Sequence, residues 1–277
     1  MSGTWFPEDE PDAFKVSAFG WVLVLVRGLL IVTVNLTGLA LLLLLRIIER
    51  PLFGLQRPIT PFITQYVCKI SLFIMGLRHV VKGQAMQQKG AIVANHASWI
   101  DIFSLNAAKR IYFVAKSEVA SWPLIGWLSR ATGTVFIARR SRDAKIHLDI
   151  FTKRLHAGHK LLFFPEGTST DGLRVLGFKP TLFQAFFADG LRDNLFIQPV
   201  SVVYSAPMGQ EDRFYGWWGD MELAPHLLKT LSVWRQGQVA IIYHQPVAIA
   251  DFTDRKALAK YCEDVVRGGM RAVSKNN

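Results

Sequence analysis

Cysteine is scarce: among 277 residues only Cys68 and Cys262 carry a thiol. Two isolated thiols, one in an apolar run and one in a helical pattern, exclude a disulfide framework or a cysteine-based metal site and suit a reducing compartment. Acids are also few. Asp and Glu number 21 against 32 Lys and Arg, a net charge of +11 with a pI near 9.8. Such a chain is drawn to polyanions, either nucleic acid or an anionic membrane face. No internal repeat, low-complexity tract or long linker interrupts it. The pattern G-x-S-x-G is absent as well, so no serine elbow is available as a nucleophile.

Apolar residues make up 51% of the chain, enough to bury a full core. From Phe19 to Leu45 the only charge is Arg27, and Asn35 is the only other strongly polar side chain. As a helix this run spans roughly 40 Å, more than the ~30 Å hydrocarbon core of a bilayer. Glu8, Asp9, Glu10 and Asp12 precede it, unlike the basic start of a signal peptide, while Arg46, Arg50 and Arg57 follow. The positive-inside rule then places everything after Leu45 on the cytoplasmic face of the cell inner membrane. Gly28 and Gly38 also permit a helical hairpin that enters and leaves the same face. The expected organisation is a tail over residues 1–18, a membrane anchor over 19–45, interfacial or connecting helices over 46–82, and one catalytic domain over 83–277. Within the third part, Phe62, Ile63, Tyr66, Val67 and Ile70 recur at helical spacing, either facing lipid or packed on the body. Two such segments make a membrane surface the better destination for the positive charge than nucleic acid.

Beyond Gly83 short β-rich runs alternate with helical stretches. "AIVAN", "IYFVAK", "TVFIAR", "KLLFFP", "FIQPVSVVY" and "QVAIIYH" predict an α/β domain, a two-layer or sandwich arrangement with a largely parallel or mixed central sheet flanked by helices. A helix is predicted over 141–156, and a last one from about Asp254, ending at Gly268–Gly269.

Polar clusters sit where three of these strands run out: Asn95-His96, Arg139-Arg140, and Glu166-Gly167-Thr168. Ligands gather at strand carboxyl ends in such sheets. In "NHASWID" the acid follows the histidine by five residues, about 140° apart on an ideal helix. The spacing therefore implies a turn, with His96 at the strand end and Asp101 entering the next helix, where its carboxylate can fix one imidazole nitrogen and leave the other to take a proton. The alternative is an exposed histidine beside an acid that only charges a helix start. Neither cysteine sits in an activating setting. If the protein supplies no nucleophile, a hydroxyl of the substrate can be the attacking group, deprotonated by His96. In "FFPEGTSTDG" Gly167 allows close backbone approach to a ligand, though Pro-Glu-Gly is also a common turn. His156 and His159 read as helix C-terminal cations in solvent rather than metal ligands. "RFYGWWGDM" is an interfacial patch, an acyl-pocket wall or a buried loop cluster.

These residues carry a resemblance. "NHASWID", "GTVFIAR", "FPEGTS" and "IQPVSV" are similar, in order and at compatible spacing, to the four sequence blocks of the glycerolipid acyltransferase superfamily, which includes the bacterial lysophosphatidic acid acyltransferases. The resemblance covers roughly 110 residues. It implies transfer of a fatty acyl group from acyl-carrier protein or a coenzyme A thioester to a lyso-lipid hydroxyl, with no cofactor or metal and no nucleic acid partner. It also implies His96 as general base, Asp101 as its orienting partner, and Arg139, Glu166, Gly167 and Thr168 at the acceptor. One departure stands out: Ser169 occupies the place of an arginine that in the family helps hold the acceptor phosphate. Arg139, Arg140, Arg174 or Lys179 can compensate. The 163–183 stretch is also similar to the branch that acylates lyso-ornithine lipid, whose head group is zwitterionic. Lyso-ornithine lipid is therefore the slightly favoured acceptor, with lysophosphatidic acid beside it. A lipid-binding protein without catalysis and a hydrolase releasing fatty acid are the other classes in view.

Overall fold

The computed structural model describes residues 4–6, 14–122, 125–137, 144–188 and 191–274. Their centre is an eight-stranded sheet in the order β1-β7-β6-β2-β5-β3-β4, with β8 paired to β6. The strands are β1 (Arg78–Lys82), β2 (Gly90–Ala94), β3 (Tyr112–Lys116), β4 (Val135–Ile137), β5 (Leu161–Phe163), β6 (Phe196–Ser205), β7 (Gln238–Tyr243) and β8 (Val247–Ala248). β6, β2, β5, β3 and β4 run parallel, β7 runs antiparallel to β6, and β1 runs parallel to β7. The sheet is thus mixed and mostly parallel, as the alternating pattern predicts. β1 and β8 were not anticipated. β1 lies in the stretch expected to form connecting helices, and its polar, half-exposed "RHVVK" hides a sheet-edge strand from hydropathy.

Helices cover both faces because the strands are apolar on both. In β2 all five residues are buried; Ala91 and Val93 point to one core cluster, Ile92 and Ala94 to the other. The first cluster lies under α5 (Ala144–His156), a 3-10 segment (Pro180–Phe187) and α7 (Arg255–Ser274). The second lies under α2 (Thr60–Met75) and α3 (Ile100–Ala108), with α1 (Ala18–Phe53) and α6 (Leu223–Ser232) beside them. α4 (Ile125–Thr132) links β3 to β4. α7 does not stop at Gly268–Gly269, contrary to the expected cap. A Cβ on Gly269 would meet Ser201 Oγ and His244 Cε1 at 2.5 Å, so this glycine serves close helix–sheet packing inside the helix.

α1 is one unbroken helix of 36 residues, about 54 Å long. Its buried residues Gly20, Leu23, Arg27, Gly38, Leu42 and Glu49 form a single stripe along the whole length. Near the start, the Arg27 guanidinium donates to the carbonyls of Leu231, Val233 and Trp234 at 2.9, 2.6 and 3.0 Å, satisfying carbonyls at and just beyond the C-terminal end of α6. In the middle, a Cβ on Gly38 would lie 2.3 Å from Val67 of α2. At the far end, buried Glu49 accepts from the amides of Ile59 and Thr60 and from the Thr60 hydroxyl, capping α2 from outside. The outer faces carry Phe19, Trp21, Leu25, Leu29, Leu36 and Leu44, all exposed, and α2 adds Phe62, Tyr66, Ile70 and Phe73.

Replacing Arg27 by leucine removes three charge-assisted bonds and leaves their carbonyls facing an apolar side chain. Arg27→Leu is expected to cost about 2–3 kcal/mol, lowering Tm in detergent by roughly 5–10 °C, as followed by circular dichroism; an unchanged Tm would contradict this docking.

Candidate functional site

The site forms where β2 and β5 end. β2 stops at Ala94, and the Asn95 side chain continues its pairing with β6, donating to the Val202 carbonyl and accepting from the Val202 amide, both at 2.8 Å. His96 follows directly. Its amide donates to Glu166 Oε1 at 2.8 Å and its carbonyl accepts from the Thr170 amide at 2.9 Å, so the 166–170 loop clamps the histidine backbone from both sides. The ring stacks on Phe164 with centroids 4.1 Å apart.

A turn brings Asp101, in the first turn of α3, back to the histidine. Nδ1 of His96 lies 2.7 Å from Asp101 Oδ2, with the carboxylate side chain fully buried and the imidazole side chain 19% exposed. Beside a carboxylate, Nδ1 carries the hydrogen, and Nε2 is left with its lone pair on the accessible side. Asp101 Oδ2 also accepts from the amides of Ala97 and Ser98 at 2.8 and 3.0 Å, and Oδ1 accepts from the Tyr204 hydroxyl at 2.7 Å. Four donors thus surround this buried acid. Among the described residues, no serine or cysteine side chain hydrogen-bonds to the His96 ring.

The remaining expected residues separate. Glu166 is 1% exposed, and its second oxygen accepts from the Leu176 amide at 2.9 Å. Both oxygens therefore hold protein backbone. Burial pushes its carboxyl up to about 8, against the pull of the two amide bonds. Gly167 makes the turn with φ of 72°, a conformation that favours glycine. Thr168 is half-buried, and its hydroxyl oxygen accepts from the Trp5 amide at 3.4 Å. Arg139 and Arg140 lie outside the described residues, as do Glu8, Asp9, Glu10 and Asp12. Arg174 is committed to Asp171, through Nε at 3.2 and 3.1 Å and Nη2 at 2.8 Å.

Two weaker readings are settled here. His159 is not a solvent cation: it is 5% exposed and stacked 4.0 Å from Tyr112, and burial together with Arg154 pushes it down to about 4. No cluster of His, Cys, Asp and Glu suited to a metal occurs among the described residues. Phe214, Tyr215 and Trp218 are buried, so the aromatic stretch is mainly a loop core; its Trp217 amide donates to the Ala97 carbonyl at 2.8 Å. Residue-by-residue reading missed Tyr204. Period-two alternation along β6 places Tyr204 on the face of Val200 and Val202, which is the one signal that points to it.

A histidine with one ring nitrogen held by a carboxylate and, among the described residues, no serine or cysteine bonded to its ring can take a proton from the hydroxyl of a substrate. The family model described as Acyltransferase matches residues 77–203. Lyso-ornithine lipid O-acyltransferase of Rhodobacter capsulatus is 53% identical over 266 residues, 96% of each chain. A 1-acyl-sn-glycerol-3-phosphate acyltransferase of Neisseria gonorrhoeae is 40% identical over only 102 residues, 36% of this chain and 40% of that one. The crystal structure of the 1-acyl-sn-glycerophosphate acyltransferase PlsC of Thermotoga maritima has the same fold, with a TM-score of 0.58 and 22% identity over 90% of this chain and 98% of that chain. The chain belongs to the acyltransferase family and is an acyltransferase enzyme.

The raised Glu166 group fixes a sign for pH. With its folded pKa above the unfolded value, its contribution is complete at low pH and is lost as pH rises through about 8. The Tm of the wild-type protein is expected to fall between about pH 5 and 9, and Glu166→Gln to flatten that slope while lowering Tm overall, because its NH2 opposes a backbone amide. Equal slopes in the two proteins would contradict the assignment.

Proposed function

We propose that this enzyme transfers a fatty acyl group from an acyl thioester, on acyl-carrier protein or coenzyme A, to the free hydroxyl of lyso-ornithine lipid. The observation that carries the chemistry is His96, held by Asp101 at Nδ1 with, among the described residues, no serine or cysteine side chain bonded to its ring. Nε2 takes the proton of the acceptor hydroxyl as that oxygen attacks the thioester carbonyl. The tetrahedral intermediate collapses, the carbon–sulfur bond breaks, and the leaving thiolate takes the proton back from His96. No acyl-enzyme forms. The amides of Thr168 and Ser169 have no acceptor among the described residues and are the donors proposed for the developing oxyanion.

Ser169 and Arg174 support the choice of acceptor. A phosphate dianion calls for more than one cation, whereas Ser169 brings none and Arg174 is paired with Asp171, which leaves Arg139 as the cation proposed for the acceptor side. A zwitterionic head group asks for no such excess. Full-length similarity to the Rhodobacter capsulatus lyso-ornithine lipid O-acyltransferase points the same way. Thr168, Gly167 and Arg139 are proposed to line the acceptor side, and Glu166 to fix the loop that presents them.

α1 is long and apolar enough to cross a membrane by length and composition, and we propose that it associates the enzyme with one. Because one stripe of α1 docks along the body from Gly20 to Glu49, with α2 antiparallel to it, we propose that both lie in one leaflet on the cytoplasmic side and do not cross the bilayer. The excess positive charge then faces anionic lipid and an acidic carrier.

His96→Ala is expected to abolish acyl transfer with the protein still folded and membrane-bound; retained activity would contradict the mechanism. With labelled acyl-carrier protein and both acceptors offered, kcat/KM is expected to favour lyso-ornithine lipid by more than about tenfold. Ser169→Arg is expected to raise use of lysophosphatidic acid. Preference of the wild type for lysophosphatidic acid would overturn the acceptor, and free fatty acid as the product would indicate a hydrolase.

A further inference from the structure

Of the four donors around Asp101, three come from its own turn and one comes from far away. Oδ2 takes the His96 ring and the amides of Ala97 and Ser98. Oδ1 takes only the hydroxyl of Tyr204, 103 residues along the chain on β6. Tyr204 is 9% exposed, and its ring centroid lies 5.4 Å from that of Tyr215. Tyr215 does not compete for the carboxylate, because its own hydroxyl donates to Gln236 and accepts from the Gly237 amide. Burial, with the Asp101 charge second, holds the Tyr204 phenol well above its ordinary range, so it remains a donor wherever the protein is active. The Asn95–Val202 bridge fixes β6 against the end of β2 two residues before the tyrosine. One strand crossing therefore sets both His96 and the phenol that reaches its acid.

We infer that Tyr204 is the third member of a His96–Asp101–Tyr204 relay, a positioning residue that fixes the Asp101 carboxylate and restrains the basicity it confers on His96. The restraint follows from competition for electron density. A phenol donates most strongly to Asp101 when the imidazole is neutral, and an imidazolium on Oδ2 weakens that bond. Tyr204 thus favours neutral His96, the form able to accept a proton. Other titratable groups near the relay are Glu166 from the turn after β5, with Arg267 of α7 acting on it, and Tyr215 from the loop after β6. None of them donates to Asp101. The inference rests on His96 being the base.

Tyr204→Phe in the full-length enzyme, with acyl-carrier-protein thioester and lyso-ornithine lipid in detergent, tests it. The expected result is a kcat about tenfold lower, KM values within about twofold, and an acid-side inflection of kcat/KM moved to higher pH by about half a unit or more. An inflection that stays in place overturns the inference whatever happens to kcat. If the phenylalanine variant does not fold, 3-fluorotyrosine placed at position 204 supplies a stronger donor of the same shape. It should move the inflection to lower pH, and no movement overturns the inference. His96→Ala separates the two levels: activity retained there removes the base itself, whereas an inactive His96→Ala with an unmoved inflection removes only Tyr204.

Discussion

Asp101 is fully buried, and a carboxylate in that position costs several kcal/mol unless hydrogen bonds replace the water it has lost. The local fold supplies those bonds. The turn from His96 to Ser98 aims two amides at one oxygen, and the same oxygen takes the imidazole. The turn is held in place by the Asn95 side chain, which ends β2 on β6, and by the 166–170 loop, which bonds both sides of the His96 backbone. Satisfying a buried carboxylate and orienting an imidazole are here the same interaction.

Glu166 extends that logic to the next strand. An acid expected at the acceptor instead holds the amides of His96 and Leu176, tying the first sequence block to the third. The loop that presents Thr168 and Ser169 is thereby fixed relative to the base. Arg174, held by Asp171, adds no net charge to this side, which is why a missing arginine at position 169 bears on the acceptor rather than on the chemistry. α1 and α2 add an outward apolar surface on one face of the sheet.

The site's geometry and the family were legible where their signal was local. A five-residue spacing demanded a turn between His96 and Asp101, four blocks at compatible spacing pointed to one family, and alternating β-rich runs announced a mixed sheet. Contacts between distant segments were not legible. Tyr204 is a strand residue whose partner lies 103 positions away, and no periodicity names that partner. Arg27 looked like a lone charge inside a membrane run; its meaning depends on the carbonyl end of α6, some two hundred residues later. His159 sits at a helix end by sequence and under Tyr112 in space. Gly269 carried the composition of a cap while serving a contact with Ser201 and His244.

The central claim is that Asp101 acts by holding His96 in the tautomer with its hydrogen on Nδ1. The most direct measurement is the steady-state kinetics of Asp101→Asn, which keeps the shape of the side chain and donates where the carboxylate accepted. The expected result is a kcat lower by about 10³–10⁴ with KM changed little and the protein still folded in detergent. A folded Asp101→Asn enzyme with kcat within tenfold of wild type would contradict it.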